Sequence, residues 1–194
     1  MKTGLFFGSF NPIHVGHMVL ANYMLAFTDL KEVWFVVSPH NPLKEKASLL
    51  SQTHRLQMVR LAVEDHPKMR ASNIEFKLPQ PSYTINTLAH LKEKYPQKEF
   101  ALILGMDNLQ TFDKWKNYEQ ILKSHPLYVY PRQNSEGGKF KGHPQVTVTQ
   151  APVIEISSSF IRAAIADKKN VDCFMPEKVA AYIKEMNFYK KKTA

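Results

Sequence analysis

Cysteine is almost absent from this sequence, since Cys173 is the only one among 194 residues. A lone cysteine excludes an internal disulfide framework and a zinc site built on cysteines. Long apolar runs are absent too, because no stretch reaches the roughly 18 residues that a membrane helix needs. The apolar start of the chain is interrupted by Gly8, Asn11 and Pro12, which argues against a signal peptide. We therefore expect a protein of the cytoplasm, without a membrane partner.

Acidic residues are also scarce, because 17 Asp and Glu stand against 26 Lys and Arg, and the formal net charge is +9. Part of this excess comes from the last residues, 190–194, which we expect to form a solvated basic tail. The remaining excess favours anionic partners, including small phosphorylated molecules. A hydrophobic share of 44% excludes a chain too polar to fold.

Short apolar runs alternate with amphipathic segments along the whole chain. The predicted strands are 5–8, 33–38, 74–78, 100–104, 127–130, 146–149 and 153–156. The predicted helices are 14–27, 53–64, 84–94, 118–123, 157–166 and 177–188. This alternation predicts an α/β fold with a mainly parallel sheet. In such sheets ligands bind beyond the carboxyl ends of the strands, so the residues directly after each strand are the candidates for binding and catalysis. Residues 68–72 are expected to be a surface loop that leads into a strand.

The first candidate site follows the first predicted strand, at residues 8–17. Gly8 allows a ligand to approach the backbone closely, and the start of a helix directs N–H groups at an anion. His14 and His17 are three positions apart on one helix face, and both imidazoles can donate to phosphate oxygens. Three alternatives are a zinc-binding pair, histidines satisfied in the core, and a Gly-rich phosphate loop. A Gly-rich loop is disfavoured because neither the GxGxxG spacing nor a Gly-Lys-Ser/Thr ending is present.

The second candidate site is Ile156-Ser157-Ser158-Ser159-Phe160-Ile161-Arg162, at the start of a predicted helix. Serine hydroxyls in a first helical turn expose several donors at one point, and Arg162 adds a forked cation suited to phosphate. Taken alone, this segment is equally well explained as an ordinary capping sequence. Residues 8–17, however, resemble the GxFxPxHxGH signature of a nucleotidyltransferase superfamily, and residues 156–162 resemble its ISSTxIR motif. Because both motifs are present in the order found in that superfamily, a chance resemblance is a poor explanation.

The middle of the chain resembles one family of this superfamily, the bacterial nicotinate-nucleotide adenylyltransferases. Residues 81–87 are similar to its SYTxxT segment, and residues 105–115 are similar to its GxDxxxxxxxW segment. Residues 55–58 and 176–183 match as well, so the resemblance covers nearly the whole chain. It implies a doubly wound, Rossmann-like fold in a single domain, 1–194, whose small C-terminal helical portion spans about 157–189.

The resemblance also implies the reaction and its residues. The 5′-phosphate of nicotinate mononucleotide attacks the α-phosphorus of ATP in line, without a covalent enzyme intermediate, and Mg²⁺ bridges the phosphates. The expected catalytic residues are His14, His17 and Arg162. The expected ATP-binding residues are Gly8, Ser9, Phe10, His14, His17, Gly105, Asp107, Ile156, Ser157, Ser158, Ser159 and Arg162. The expected contacts to nicotinate mononucleotide are Asn11, Lys44, Tyr83, Thr84, Ile85, Trp115 and Lys116. No metal site built from protein side chains is expected.

Individual residue types agree with these roles. Trp115 offers the aromatic face that a pyridinium ring prefers, although a Trp is also commonly a core residue. Asp107, just after a strand, suits ribose hydroxyls, although it could instead cap a helix. Three departures from the family pattern stand out: Asn11 replaces Asp, Ser159 replaces Thr, and residues 39–44 differ from the usual wording around the phosphate-binding lysine.

Other functions stay open from the sequence alone. The acceptor could be nicotinamide mononucleotide or pantetheine phosphate, and pyrimidine-nucleotide members of the superfamily are a further alternative. A tRNA-binding synthetase fragment shares the histidine motif, but the chain is too short for an anticodon domain and we expect no nucleic-acid partner. A nucleotide-binding sensor without catalysis is the non-enzyme alternative. The sequence leaves the oligomeric state open.

Overall fold

The computed structural model of the protein describes residues 1–39 and 49–191, and the structure below is that of these residues. Its strands are β1 (Lys2–Gly8), β2 (Glu32–Val37), β3 (Met69–Ser72), β4 (Glu99–Gly105), β5 (Leu127–Tyr130) and β6 (Val146–Val148). All five pairings are parallel, in the order β3-β2-β1-β4-β5-β6. The predicted doubly wound, parallel α/β fold is therefore confirmed. The strand order reverses between β1 and β4, which is where such folds form a ligand crevice.

Seven α-helices connect and follow these strands in the described part of the chain. They are α1 (Val15–Phe27), α2 (Gln52–Val63), α3 (Thr84–Lys94), α4 (Met106–Gln110), α5 (Tyr118–Ser124), α6 (Ser158–Ala166) and α7 (Glu177–Glu185). The six predicted helices are confirmed, and α4 is an additional short one. Within the described ranges, every helix is too short or too polar to cross a bilayer.

Alternate residues of each central strand pack on opposite faces of the sheet. Leu5 and Leu102 belong to a cluster covered mainly by α3, α4 and α5, whereas Phe6 and Ile103 belong to one covered by α1, α2, α6 and α7. Because both faces are buried, these strands are nearly continuous apolar runs, as is typical of parallel sheets. The two layers hold the strand ends fixed relative to one another, and this is what places the loops that follow them.

The third strand is not where the sequence analysis put it. Residues 68–72 were expected to be a loop and 74–78 a strand, but Met69–Ser72 is β3 and Ile74–Lys77 is a 3-10 helix. β3 is short and pairs with β2 on one side, so its pattern is weak, and Arg70 covers the Trp34 ring at 4.8 Å. Ile74 and Glu75 are buried because the 3-10 turn folds back beneath α3, which imitates the apolar pattern of a strand.

The predicted strand at 153–156 is also wrong. The sheet ends at β6, and residues 150–157 have no regular secondary structure. Ile154 and Ile156 nevertheless pack against the core from outside the sheet, which explains their spacing in the sequence. This segment crosses the carboxyl end of the sheet and delivers α6 to the loop that follows β1.

Arg55 forms hydrogen bonds with the loops at the carboxyl end of the sheet. It is fully buried in α2 and donates four hydrogen bonds to backbone carbonyl oxygens: Nε to Leu50 at 2.9 Å, Nη1 to Ser9 and Ser38 at 2.7 Å each, and Nη2 to Pro39 at 2.7 Å. Among the described residues, no carboxylate forms a salt bridge with it, and burial lowers its pKa to about 10. The guanidinium therefore stays charged at neutral pH and joins the loops after β1 and β2 to the start of α2.

Arg55→Met is expected to lower the free energy of unfolding by about 3 kcal/mol or more, because it leaves buried carbonyl groups without donors. Urea unfolding followed by circular dichroism measures this change. Arg60→Met is the matched control, since Arg60 lies exposed in the last turn of the same helix. The control is expected to change stability by about 0.5 kcal/mol at most. Equal effects of the two substitutions would contradict the role of Arg55.

Candidate active site

The candidate site lies at the carboxyl ends of β1, β4 and β5, on either side of the point where the strand order reverses. Residues 9–14 leave β1 and lead into α1, Gly105 leads directly into α4, and Arg132 follows β5 by two residues. The segment before α6 crosses above them. Four separate parts of the chain therefore meet at one edge of the sheet, as expected for a parallel fold.

The loop after β1 is rigid and tightly packed. A Cβ atom on Gly8 would lie 2.8 Å from the Phe10 ring, so the space that glycine leaves is taken by Phe10. Phe10 is buried against Phe6, Phe35 and His17, and its backbone has a positive φ of 46°. With its ring enclosed in this way, Phe10 offers a ligand its backbone rather than its side chain. Ser9 is partly buried, and its carbonyl oxygen accepts from Arg55.

His14 and His17 are stacked at the start of α1. Their ring centroids are 3.7 Å apart with 33° between the planes, and His14 is the N-cap of the helix. The backbone N–H of His14 donates to Nδ1 of His17 at 3.3 Å. Because Nδ1 of His17 accepts this bond, the neutral His17 ring carries its proton on Nε2. That orientation presents an N–H donor at the N-terminus of a helix, where anions are favoured.

His14 is kept neutral by its surroundings. It is only 6% exposed, and burial, followed by the charge of Arg132, lowers its pKa to about 4. Its Nδ1 atom is buried and has no hydrogen-bond partner among the described residues. This atom faces the first turn of α1, because a Cβ atom on Gly16 would lie 3.0 Å from it.

The second motif is joined to the first by direct hydrogen bonds. Arg162 Nη1 donates to the carbonyl oxygen of Asn11 at 2.9 Å, across 151 positions of sequence. The Ser158 hydroxyl donates to the carbonyl oxygen of Pro12 at 2.9 Å. These bonds place the first turn of α6 against the loop after β1, so that the two motifs form one surface.

The other members of the second motif have more local contacts. Ser157 caps α6 by accepting from the backbone N–H of Phe160 at 3.2 Å. Ser159 is exposed, and its hydroxyl accepts from Nη2 of Arg162 at 3.3 Å. Ile156 packs against the core. The structure thus brings Ser158 and Arg162 directly onto the loop after β1, while Ser157 and Ser159 shape the start of α6.

Arg132 is a residue that the sequence analysis missed. It follows β5, and its guanidinium contacts the Tyr130 ring at 5.2 Å and Asp107, whose Oδ1 lies 3.8 Å from Nε. Like Nδ1 of His14, its Nε is buried without a hydrogen-bond partner in the described part of the chain. The criterion applied to the other strands, a polar residue directly after a buried strand, would have selected Arg132 as well.

Gly105 and Asp107 mark the carboxyl end of β4. Asp107 lies in the first turn of α4, and Gly105 is the N-cap, so the alternative that Asp107 caps this helix is wrong. A Cβ atom on Gly105 would collide with the Asp107 carboxylate, so a larger residue there would displace the Asp107 side chain. Asp107 is half exposed toward the crevice beside Arg132.

The residues expected to bind the acceptor come from α3 and the segment after α4. Lys116 Nζ lies 4.5 Å from the centroid of the Tyr83 ring, which brings the two segments together. Tyr83 is the N-cap of α3, and Thr84 and Ile85 form its first turn, where backbone N–H groups have no acceptor within the helix. Trp115 is partly buried against Phe112 at 5.2 Å, so part of its ring remains accessible.

Glu75 links this acceptor segment to the rest of the site and was also missed by the sequence analysis. It is buried, and the Thr87 hydroxyl donates to its Oε1 at 2.7 Å, while the hydroxyl groups of Ser38 and Ser82 lie near enough to favour its ionised form. Burial raises the pKa of this carboxyl group, and the hydroxyl bonds oppose that shift. The Ser38 carbonyl oxygen accepts from Arg55, which also donates to Ser9, so Ser38 and Arg55 connect this segment to the loop after β1.

Two further expectations concern cations. Lys44, predicted to bind phosphate, lies outside the described residues. Within residues 1–39 and 49–191, no three His, Cys, Asp or Glu side chains are grouped so that they could hold a metal ion. Around the two motifs, the side chains that face the crevice are histidines, arginines and serines, a set that suits phosphate oxygens better than a cation.

Comparisons with known proteins agree with this geometry. A family model described as cytidylyltransferase-like matches residues 5–164. A protein of Flavobacterium johnsoniae named probable nicotinate-nucleotide adenylyltransferase is 58% identical over 193 residues, covering 98% of this chain and 100% of the relative. A protein of Bacteroides fragilis with the same name is 51% identical, covering 90% of this chain and 87% of the relative.

Solved structures give the same fold at low sequence identity. Nicotinic acid mononucleotide adenylyltransferase of Plasmodium falciparum, solved in complex with NaAD, superposes with a TM-score of 0.81 at 20% identity, over 97% of each chain. The same enzyme in complex with APC gives a TM-score of 0.80. At this level of identity, the likeness concerns the fold alone.

The lowered pKa of His14 makes stability depend on pH. The unfolded chain binds a proton on His14 below about pH 6.5, whereas the folded chain binds it only near pH 4. The free energy of unfolding is therefore expected to fall as the pH drops through this window, by about 3 kcal/mol in all from this group. His14→Asn removes this contribution, so its stability should change less between pH 7 and pH 4.5 than that of the wild type.

Urea unfolding at several pH values measures this difference. His66→Asn serves as the control, because His66 is exposed and far from the crevice. Its profile is expected to follow that of the wild type. If His14→Asn kept the full pH dependence, the assigned burial of a neutral His14 would be refuted.

Proposed function

The chain belongs to the nicotinate-nucleotide adenylyltransferase family, and from this premise we propose that it transfers the adenylyl group of ATP to nicotinate mononucleotide, in NAD biosynthesis. An oxygen of the mononucleotide 5′-phosphate attacks the α-phosphorus of ATP. The bond from that phosphorus to the oxygen that bridges to the β-phosphate breaks, and pyrophosphate leaves. The products are nicotinate adenine dinucleotide and pyrophosphate.

The observation that carries this proposal is the joining of the two motifs. Arg162 and Ser158 are bonded to the carbonyl groups of Asn11 and Pro12, so the start of α6 and the start of α1 face one crevice. Both helices begin there, and their N-termini favour an anion. Arg132 lies close enough for its charge to lower the pKa of His14. A triphosphate supplies the oxygen acceptors that such a set of donors needs.

Catalysis rests on positioning and on stabilisation of charge. His17, with its Nε2–H directed away from the helix, and Arg162 donate to phosphate oxygens as negative charge develops on the leaving pyrophosphate. Neutral His14 contributes a hydrogen bond without adding charge, and Arg132 adds a second guanidinium at the end of β5. No side chain acts as a nucleophile, because one in-line displacement transfers the adenylyl group directly.

The remaining residues bind the two substrates. Gly8, Ser9 and Phe10 line the triphosphate with their backbone, Gly105 and Asp107 bind the ribose of ATP, and residues 156–159 close the other side. The pyridinium ring stacks on Trp115, and its carboxylate binds backbone N–H groups near Ile85 and Lys116. Tyr83 and Thr84 shape this pocket, while Asn11 and Lys44 bind the phosphate of the mononucleotide.

Mg²⁺ is the cofactor of this reaction and would be held chiefly by the phosphates of ATP and by water. The residues around the two motifs fit that arrangement, because they are chiefly donors for phosphate, and Asp107 is the one carboxylate described beside the crevice. When bound, Mg²⁺ neutralises charge on the triphosphate. Since both substrates are metabolites of the cytoplasm, we propose that compartment as the place of action. We also propose that the whole chain acts as a single nucleotidyltransferase domain, because α7 packs on α2.

Pyrophosphate release in the presence of ATP and Mg²⁺ tests the reaction and its acceptor. We expect release with nicotinate mononucleotide and at least tenfold lower kcat/KM with nicotinamide mononucleotide, because backbone N–H donors favour a carboxylate over an amide. Pantetheine phosphate serves as the unrelated acceptor and should give none. Comparable rates with both mononucleotides would make the enzyme one of dual specificity, and ATP binding without release in any mixture would favour a nucleotide sensor.

His17→Ala tests the catalytic role of the histidines. Loss of a donor to developing charge is expected to lower kcat by about 100- to 1,000-fold, with a smaller change in the KM for ATP. His66→Ala, an exposed histidine outside the crevice, should keep the wild-type rate. Circular dichroism checks that both variants are folded. Near wild-type turnover by folded His17→Ala would refute the assignment.

A further inference from the structure

The C-terminal segment after α7 returns to the active site. Residues 186–191 follow α7, and the Tyr189 hydroxyl donates to Oδ1 of Asn11 at 2.7 Å. The two residues are 178 positions apart in the sequence. Composition alone predicted a solvated basic tail close to this point, yet Tyr189 lies partly buried. The segment therefore contributes a hydrogen bond to a loop that the proposed function assigns to substrate binding.

Several contacts hold the segment in this position. Phe188 packs on His54 with ring centroids 4.8 Å apart, and its backbone N–H donates to the carbonyl of Ile183 at 3.1 Å. Asn187 follows α7 with a positive φ of 54°, as is common for Asn after a helix, whereas Tyr189 has a φ of 63°, which bulky residues seldom adopt. Such conformations persist only where surrounding contacts enforce them. The turn after α7 is thus held by specific contacts, and it directs the Tyr189 side chain inward.

Asn11 is the point at which this segment meets the site. Its Oδ1 accepts from the Tyr189 hydroxyl and from the backbone N–H of Leu50 at 3.3 Å, while its carbonyl oxygen accepts from Arg162. The oxygen and nitrogen of an amide side chain exchange places by a simple rotation. Two donors aimed at Oδ1 fix which end of the amide faces them, and so fix where the NH₂ group lies.

Tyr189 is suited to act as a permanent donor. The charges of Arg162 and Arg55 both favour the ionised phenol of Tyr189. Burial outweighs them and raises the pKa of Tyr189 above its usual range. The hydroxyl group therefore keeps its proton at physiological pH, and the bond to Asn11 does not depend on pH there.

We propose that Tyr189 is a positioning residue for the acceptor substrate, which orients the Asn11 amide toward the phosphate of nicotinate mononucleotide. This inference rests on the proposed function. It assigns the Tyr189 hydroxyl to the acceptor side of the site alone, because the bond from Arg162 reaches the backbone of Asn11 and does not involve its side chain. The C-terminal segment is accordingly part of the active site.

Tyr189→Phe removes only the hydroxyl and keeps the ring. We expect the KM for nicotinate mononucleotide to rise about three- to tenfold, the range for loss of one hydrogen bond. The KM for ATP and kcat are expected to stay within about twofold. Initial rates of pyrophosphate release, with each substrate varied in turn, give these constants, and thermal melting checks that the variant is folded.

Tyr182→Phe is the matched control. The Tyr182 hydroxyl hydrogen-bonds to Nδ1 of His54 at 2.9 Å and lies on α7. Its loss removes a bond of similar length from the same part of the fold without touching Asn11. An equal rise in KM in both variants would mean that the effect is merely structural, and would overturn the proposal.

A double-mutant comparison tests the route through Asn11. Asn11→Ala alone is expected to raise the KM for the mononucleotide, and adding Tyr189→Phe should produce no further rise. Full additivity would overturn the proposal, because the hydroxyl would then act elsewhere. An unchanged KM in Tyr189→Phe would overturn the role of Tyr189 while leaving the proposed function intact. Absence of turnover by the wild type with nicotinate mononucleotide would overturn both.

Discussion

The Arg55 guanidinium lies where three loop segments meet, and it supplies the hydrogen-bond donors that their carbonyl groups need. Ser9 belongs to the loop after β1, Ser38 and Pro39 follow β2, and Leu50 precedes α2. Buried carbonyl groups without donors are costly, so these loops keep their places only while Arg55 stays among them. The loop of the first motif is bonded to this side chain directly, and the second motif is bonded to the same loop through Ser158 and Arg162.

The site that Arg55 supports is cationic because several arginines lie around it. Arg55, Arg132 and Arg162 all lie near the carboxyl end of the sheet, while His14 is held neutral by burial and by the charge of Arg132. A neutral imidazole among arginines donates a hydrogen bond and avoids further repulsion. Glu75 is a buried acid in the network, placed behind the acceptor segment, where hydroxyl groups hold it. This distribution of charge fits two anionic substrates that must approach each other.

Local patterns predicted much of the fold and of the candidate site. Each of the two motifs is a turn that leads into a helix, from Gly8 to His17 and from Ile156 to Arg162. Their functional groups therefore come from residues that are adjacent in the sequence. The predicted position of β3 is wrong because a strand of four residues has little hydrophobic alternation. The predicted strand at 153–156 is wrong because Ile154 and Ile156 pack on the core from outside the sheet. Arg132, Glu75 and Tyr189 escaped notice because each is, by itself, an ordinary residue.

The sequence by itself determined the class of fold and the position of the two candidate motifs, because apolar periodicity and helix-capping chemistry are properties of adjacent residues. It also determined the family, through segments that cover nearly the whole chain. Only the tertiary structure decided which distant groups meet: Arg162 with Asn11, Ser38 with both Arg55 and Glu75, and Tyr189 with Asn11. Those pairings arise from the crossing of segments over one edge of a parallel sheet, and hydrogen bonds between residues so far apart leave no periodic trace in the chain.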